Sequence, residues 1–150
     1  LCELNLNNVN LDDKAGQKLL TALLKGLQTK GSGYDKITSL SLAQNNLGPA
    51  TGSMLKEVLG DAEAVAPLQY LDISFNTALE GLDVAKALQR NASLTAIDIR
   101  GIPAANSDEV YNMIGGILLL DSSPCCLGLL SCDTFRVMKD QTELVLTSKP

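Results

Sequence analysis

Asp72 and Asp98 are the side chains whose spacing comes closest to chemistry. Each interrupts an apolar alternation, Leu71-Asp72-Ile73 and Ile97-Asp98-Ile99. Both are therefore expected on the solvent side of a strand whose other side is buried. On adjacent strands in register the two carboxylates would stand roughly 5 Å apart. Such a pair can serve as acid and base or hold a hard cation. However, Arg100 is near enough to neutralise one of them, and no third ligand or pocket is evident. A charge-balanced surface pair is the expected outcome, with no metal bound.

Other catalytic constellations fail sooner. The chain contains no histidine, so neither a Ser-His nor a Cys-His arrangement is available. Gly31-Ser32-Gly33 lacks the lysine and the spacing of a phosphate cradle. The four cysteines (Cys2, Cys125, Cys126 and Cys132) show no C-x-x-C spacing, which leaves zinc without its usual ligands. Neighbours such as Cys125 and Cys126 rarely bridge without strain, and Cys132 occupies an apolar slot. Reduced thiols and a cytoplasmic location are expected, with no cofactor and no enzymatic activity. A net charge of −5 argues against nucleic acid as a partner. With no run of 18 apolar residues and no charged-then-apolar leader, neither membrane insertion nor a signal peptide is expected.

The elements that must position these residues recur along the chain. Ile37-Thr38-Ser39-Leu40-Ser41-Leu42-Ala43-Gln44-Asn45-Asn46-Leu47 fits the phrase L-x-x-L-x-L-x-x-N-x-L at every fixed position. Leu40 and Leu42 point into a core, and Asn45 satisfies backbone groups where the chain leaves the strand. The phrase returns at Leu1 with Val9 in the asparagine slot, and at Leu68 with Asn76 there and Ala78 in the last slot. It returns again at Leu94 with Ile102 and at Leu127 with Phe135 in the asparagine slot, and in degenerate form from Gln141. The phrases begin at 1, 37, 68, 94, 127 and 141, giving spacings of 36, 31, 26, 33 and 14. Val9, Ile102 and Phe135 cannot hydrogen-bond in that slot, so their turns must find other partners or bury the apolar side chain.

Helical patterns fill the longer intervals. Asp12-Asp13 suits a helix start, and Ala15, Leu19, Leu20, Leu23, Leu24 and Leu27 repeat at helical spacing. Pro49 suits a first helical position, with Met54, Leu55, Val58 and Leu59 facing inward. Leu82, Ala85 and Leu88 form a shorter third helix, and Asn106-x-x-Glu109 reads as a capping box for a fourth. Strands are thus predicted near 3–6, 39–42, 70–73, 96–99, 129–132 and 143–146, and helices near 13–29, 49–60, 80–90 and 107–118. The 14-residue step to the sixth phrase leaves no room for a helix. An extended crossover is the preferred expectation there, and an antiparallel hairpin around Lys139-Asp140 is the alternative.

These phrases resemble the leucine-rich repeat family over nearly the whole chain, and the long helix-containing spacings resemble its ribonuclease-inhibitor-like class. The resemblance implies an α/β solenoid of five to six coils in one domain, residues 1–150. A curved parallel sheet would line the concave side and helices the convex side. It also implies binding to a protein partner through the concave sheet and adjacent loops, since members act as inhibitors, scaffolds, sensors and complex subunits. Alternation puts Tyr70, Asp72, Phe75, Asp98 and Arg100 on that face, with aromatic and arginine anchors of the kind interfaces favour. The competing outcome is a solvated sheet face whose charges merely balance. A structural segment of a larger assembly is the second functional reading, because neither end carries a polar cap and the chain starts on Leu1 and not Met, directly with a repeat phrase. The edges are then covered by missing sequence or a neighbouring subunit. A regulator like the Ran GTPase-activating group is the third, with Arg100 its only concave arginine.

Overall fold

An alternation such as Leu40-Ser41-Leu42 puts the apolar side chains on one side of an extended chain and the polar one on the other. Four more such segments line up beside it. In a computed structural model of the protein, which describes residues 2–29, 31, 36–60, 68–103, 112–113, 129–131, 135–140 and 143–148, five short strands run parallel. They are β1 (Glu3–Asn5), β2 (Ser39–Ser41), β3 (Tyr70–Asp72), β4 (Ala96–Asp98) and β5 (Leu129–Ser131). Their register aligns Leu4, Leu40, Leu71, Ile97 and Leu130 in one row.

Parallel neighbours require a crossover of a dozen residues or more. Three helices supply it between β1 and β4: α1 (Asp13–Gln28), α2 (Pro49–Gly60) and α3 (Gly81–Leu88). Leu40, Leu42, Leu71, Ile73, Ile97 and Ile99 from the sheet side join Leu20, Leu23, Leu55, Val58, Leu59, Val84 and Leu88 from the helices in one buried cluster. The helices therefore cover one face of the sheet, and the architecture is α/β. Each fully buried leucine or isoleucine in this layer contributes about 2 kcal/mol. Of the fourth helical pattern, only Asn112 and Met113 are described, and both are helical. Cys125, Cys126 and Cys132 lie outside the described residues.

Beyond β5 the direction reverses. β6 (Phe135–Asp140) runs antiparallel to β5, with Leu130 opposite Val137. β7 (Glu143–Ser148) runs antiparallel to β6, with Val137 opposite Leu146. This corrects the expected extended crossover, because the sixth phrase pairs with β6 and not with β5. Two short connections suit hairpins, whereas a parallel return has too little chain. Phe135 is corrected with it: it opens β6 and does not stand at a turn. A smaller correction concerns the third phrase, where Leu79 is buried and Ala78 is exposed, so that turn is one residue longer than the pattern implies.

Side-chain amides stitch the strand ends together. Asn45 Nδ2 donates to the Leu42 and Ala43 carbonyls of its own unit and to Leu6 of the unit before (3.0, 3.2 and 2.8 Å). Its Oδ1 accepts from the Val9 and Leu11 amides. The turn at Val9 is thus satisfied from the next unit while Val9 itself stays 51% exposed. Asn76 repeats the arrangement on Ile73, Ser74 and Leu42, and accepts from Leu47 N. Ile102 takes the other route and is fully buried.

The helices are joined in a comparable way. Asp12 is the N-cap of α1, accepting from Ala15 N at 2.7 Å. Asp13 serves the neighbouring helix instead. Its carboxylate accepts from the amides of Gly48, Ala50 and Thr51 (3.0, 3.0 and 2.7 Å) at the start of α2. Burial alone would raise its pKa, but the bonds from the Thr51 hydroxyl and these three amides outweigh it, so the pKa lies below the ordinary 3.8. Gly16 allows the close approach: a Cβ there would sit 2.5 Å from Leu47 Cδ2 and 2.6 Å from Thr51 Oγ1.

Candidate functional site

The sheet face away from the helices carries two described rows of side chains. Glu3, Ser39, Tyr70 and Ala96 align in one, and Asn5, Ser41, Asp72 and Asp98 in the next. Alternation along each strand puts both rows on the same side, because residues i and i+2 share a face. Tyr70 therefore stands between the small side chains of Ser39 and Ala96, one row away from Asp72. The turns that follow β3 and β4 bring Phe75 and Arg100 to the same place. The structure thus brings Tyr70, Asp72, Phe75, Asp98 and Arg100 together on one face, although Asp98, expected on the solvent side, is buried there at 7% exposure and paired with Arg100.

Asp98 and Arg100 form its ionic part. Arg100 Nε lies 2.9 Å from both carboxylate oxygens, Nη2 lies 2.5 Å from Oδ2, and the Arg100 amide also donates to Oδ1. Hydrogen bonding to Asp98, followed by its charge, raises the guanidinium pKa further above its already high value. Asp72 is held differently. Its Oδ1 accepts from Ser74 N and Ser74 Oγ (3.0 and 2.7 Å), and its Oδ2 lies 3.1 Å from Ser41 Oγ. The single Ser41 proton is shared between Asp72 and Asn7 Oδ1, the latter at 2.7 Å.

One chemical rule explains this row. The residue closing each strand uses its side chain to accept from the amide two positions on: Asn5 from Asn7, Asp72 from Ser74, Asp98 from Arg100. Ser41 has no carbonyl or carboxylate oxygen to offer, and Asn7 of the preceding unit accepts from Ala43 N in its place, at 2.7 Å. Both aspartates thus have a local backbone task, as Asx-type turns. The carboxylate pair does not gather further ligands. Among the described residues there is no cluster of three or more His, Cys, Asp or Glu side chains arranged to hold a metal ion.

The aromatics are held under unlike constraints. Tyr70 is half-buried, and its phenol is raised above the ordinary 10.0, first by burial and then by the charges of Asp72 and Asp98, against a smaller opposing effect from Arg100. Phe75 is 46% exposed and adopts φ +57°. The equivalent turn positions, Asn8, Gln44 and Gly101, are also left-handed, at +53°, +56° and +70°. Asparagine and glycine tolerate that region, whereas a bulky aromatic is strained there. Three contacts hold it. Phe75 N donates to the Arg100 carbonyl at 2.6 Å, the Arg100 guanidinium carbon lies 5.9 Å from the ring centroid, and Gly101 leaves room for the ring. A Cβ at Gly101 would come within 2.5 Å of Phe75 Cδ1.

Alternation already puts Asn7, Ser41 and Ser74 on this face, but sequence reasoning does not foresee their bonds around Asp72, and it misses Gly101. The hint in the sequence is a polar residue two positions after Asn5, Asp72 and Asp98, with Ala43 in that place after Ser41. Away from this face, Cys2 is an exposed free thiol, and no described helix is long and apolar enough to cross a membrane. No protein-family model matches the sequence, and no curated protein matches it.

Proposed function

We propose that the chain is a ribonuclease-inhibitor-like leucine-rich repeat solenoid that binds a protein partner, without catalysis, through the sheet face and the turns beside it. The surface of Tyr70, Asp72, Phe75, Asp98 and Arg100 is its centre. One observation carries this reading: Phe75 spends conformational energy to keep an aromatic ring in solvent at a position where asparagine or glycine fits without strain. An exposed, rigid aromatic beside an arginine is the kind of anchor that dominates binding energy at protein interfaces. The two asparagines support the solenoid, because Asn45 and Asn76 each complete the hydrogen bonding of the unit before their own.

Arg100 weighs against a GTPase-activating role, since both carboxylate oxygens of Asp98 already hold its guanidinium. A structural segment of a larger assembly is the second reading. It is favoured by Leu4, Leu6 and Leu11, which are only partly buried along β1, beside the exposed Val9. Affinity capture with the wild-type chain and with a folded Tyr70→Ala/Phe75→Ala variant tests the first reading. Proteins held by the wild type and lost from the variant support it. Equal retention by both overturns it and leaves the assembly reading, which Leu4→Ser and Leu6→Ser then address.

A further inference from the structure

Resting on that reading of the sheet face, we infer that the partner docks with a basic segment, a lysine or arginine of which lies across Tyr70 and pairs with Asp72. Charge balance is the first ground. The described side chains of this face in β1–β4 and the turns after β3 and β4 include three carboxylates, Glu3, Asp72 and Asp98, and one cation, Arg100. Arg100 is already engaged by Asp98 through two of its nitrogens. Asp72 has only neutral donors: the Ser74 amide, the Ser74 hydroxyl and the Ser41 hydroxyl. Those bonds fix its orientation without cancelling its charge, and a carboxylate with about four acceptor positions has one still open.

Shape is the second ground. Tyr70 is flanked in register by Ser39 and Ala96, whose side chains are small, and it remains partly exposed. A cationic side chain laid along either flank meets an aromatic surface and, one row further, the Asp72 carboxylate. The Tyr70 phenol pKa is raised first by burial and only then by the charges of Asp72 and Asp98, which Arg100 partly offsets. Phe75 is a less suitable partner for an incoming cation, because Arg100 already stacks on it. It supplies apolar contact for the flanking residues of the segment instead.

The probe is a set of dye-labelled peptides in a glycine-serine background, carrying four arginines, four lysines or four glutamates, titrated onto the full chain by fluorescence anisotropy. Basic peptides are expected to bind and the glutamate peptide not to. Asp72→Asn, which keeps an acceptor for Ser74, is expected to weaken binding about tenfold. Glu57→Gln removes the same charge from α2 and is expected to change it less than about twofold. Tyr70→Leu keeps the side chain's bulk and should weaken binding severalfold, so the inference is tested even if Asp72→Asn fails to fold. Equal losses from Asp72→Asn and Glu57→Gln would mean undirected attraction to an acidic protein and would overturn it. Absence of binding by the basic peptides, or dimers of the chain that exclude them, would do the same. Captured partners separate the two levels: a protein lost from Tyr70→Ala/Phe75→Ala but retained by Asp72→Asn refutes the basic segment and leaves the interaction face standing. Retention by both variants refutes both.

Discussion

Asn45 and Asn76 donate to the same acceptor, the carbonyl oxygen of Leu42, each at 3.0 Å. One asparagine reaches it from within its own unit and the other from the unit that follows. The backbone where the chain leaves β2 is therefore completed only when β3 is in place, and two buried amides hold adjacent strand ends at a fixed spacing.

Asn76→Ala should accordingly cost more than a surface substitution. It leaves the buried Leu47 amide without its side-chain acceptor and takes a donor from Leu42, Ile73 and Ser74. A loss of about 2–3 kcal/mol is expected. Asn45→Ala should cost less, since the Val9 and Leu11 amides it serves lie nearer solvent. Urea unfolding of both variants followed by circular dichroism gives the ranking, and the reverse order would contradict the ladder's energetics.

Acid lability should trace in part to Asp13. Its folded pKa lies below the ordinary value of 3.8, so the carboxylate stabilises the fold above that pH. The contribution is lost as pH falls through the lower folded value, where the native carboxylate at last takes up a proton. Asp13→Ala is expected to cost about 1 kcal/mol at neutral pH, as the loss of a cap does. The difference from wild type should shrink as pH falls below the ordinary 3.8. Thermal melts across that range check the sign: a gap that widens on acidification would be the wrong one.

Gly16→Ala should destabilise despite alanine's better helix propensity. The propensity gain of about 1 kcal/mol in α1 is set against a methyl group placed 2.5 Å from Leu47 Cδ2 and 2.6 Å from Thr51 Oγ1. Overpacking of this kind costs about 1–3 kcal/mol. Combining it with Thr51→Ala, which vacates one of the two clashing positions, should give less destabilisation than the two single effects added together. Additive losses in a double-mutant cycle would show that α1 and α2 do not meet at Gly16.

Phe75→Asn should leave stability within about 0.5 kcal/mol of the wild type, or raise it. The substitution gives up a cation–π contact worth about 0.5–1 kcal/mol at an exposed site. It also relieves left-handed strain of about 1–2 kcal/mol. A core phenylalanine lost in this way would cost about 3–5 kcal/mol, so chemical denaturation separates an aromatic held for contact from one held for packing.

The strand–helix alternation was legible because period two at Leu40 and Leu42 and helical spacing through Leu19, Leu20, Leu23 and Leu24 are different signals. The return of the chain after β5 was not. Leu144 and Leu146 alternate equally well in a parallel or an antiparallel strand, so their phasing carries no direction. The 14-residue spacing was the better guide, and it pointed to a hairpin. At the candidate site, the face shared by Tyr70, Asp72 and Asp98 followed from alternation. The left-handed turn at Phe75 did not, because it depends on room beside Gly101 that only the fold creates. Asp13 stands in the first turn of α1 as its sequence position implies, but its second role was not legible, because its donors lie 35 to 38 residues further on.

That carboxylate also makes the two helices unequal as modules. α1 carries its own start in Asp12, whereas α2 borrows its start from α1. Removing the stretch that contains α1 would strip the acceptor from the Gly48, Ala50 and Thr51 amides at the start of α2, while removing α2 would leave the N-cap of α1 whole. The order of the first two units is thus written into the start of α2, and that unit transplanted without its predecessor would arrive without its cap.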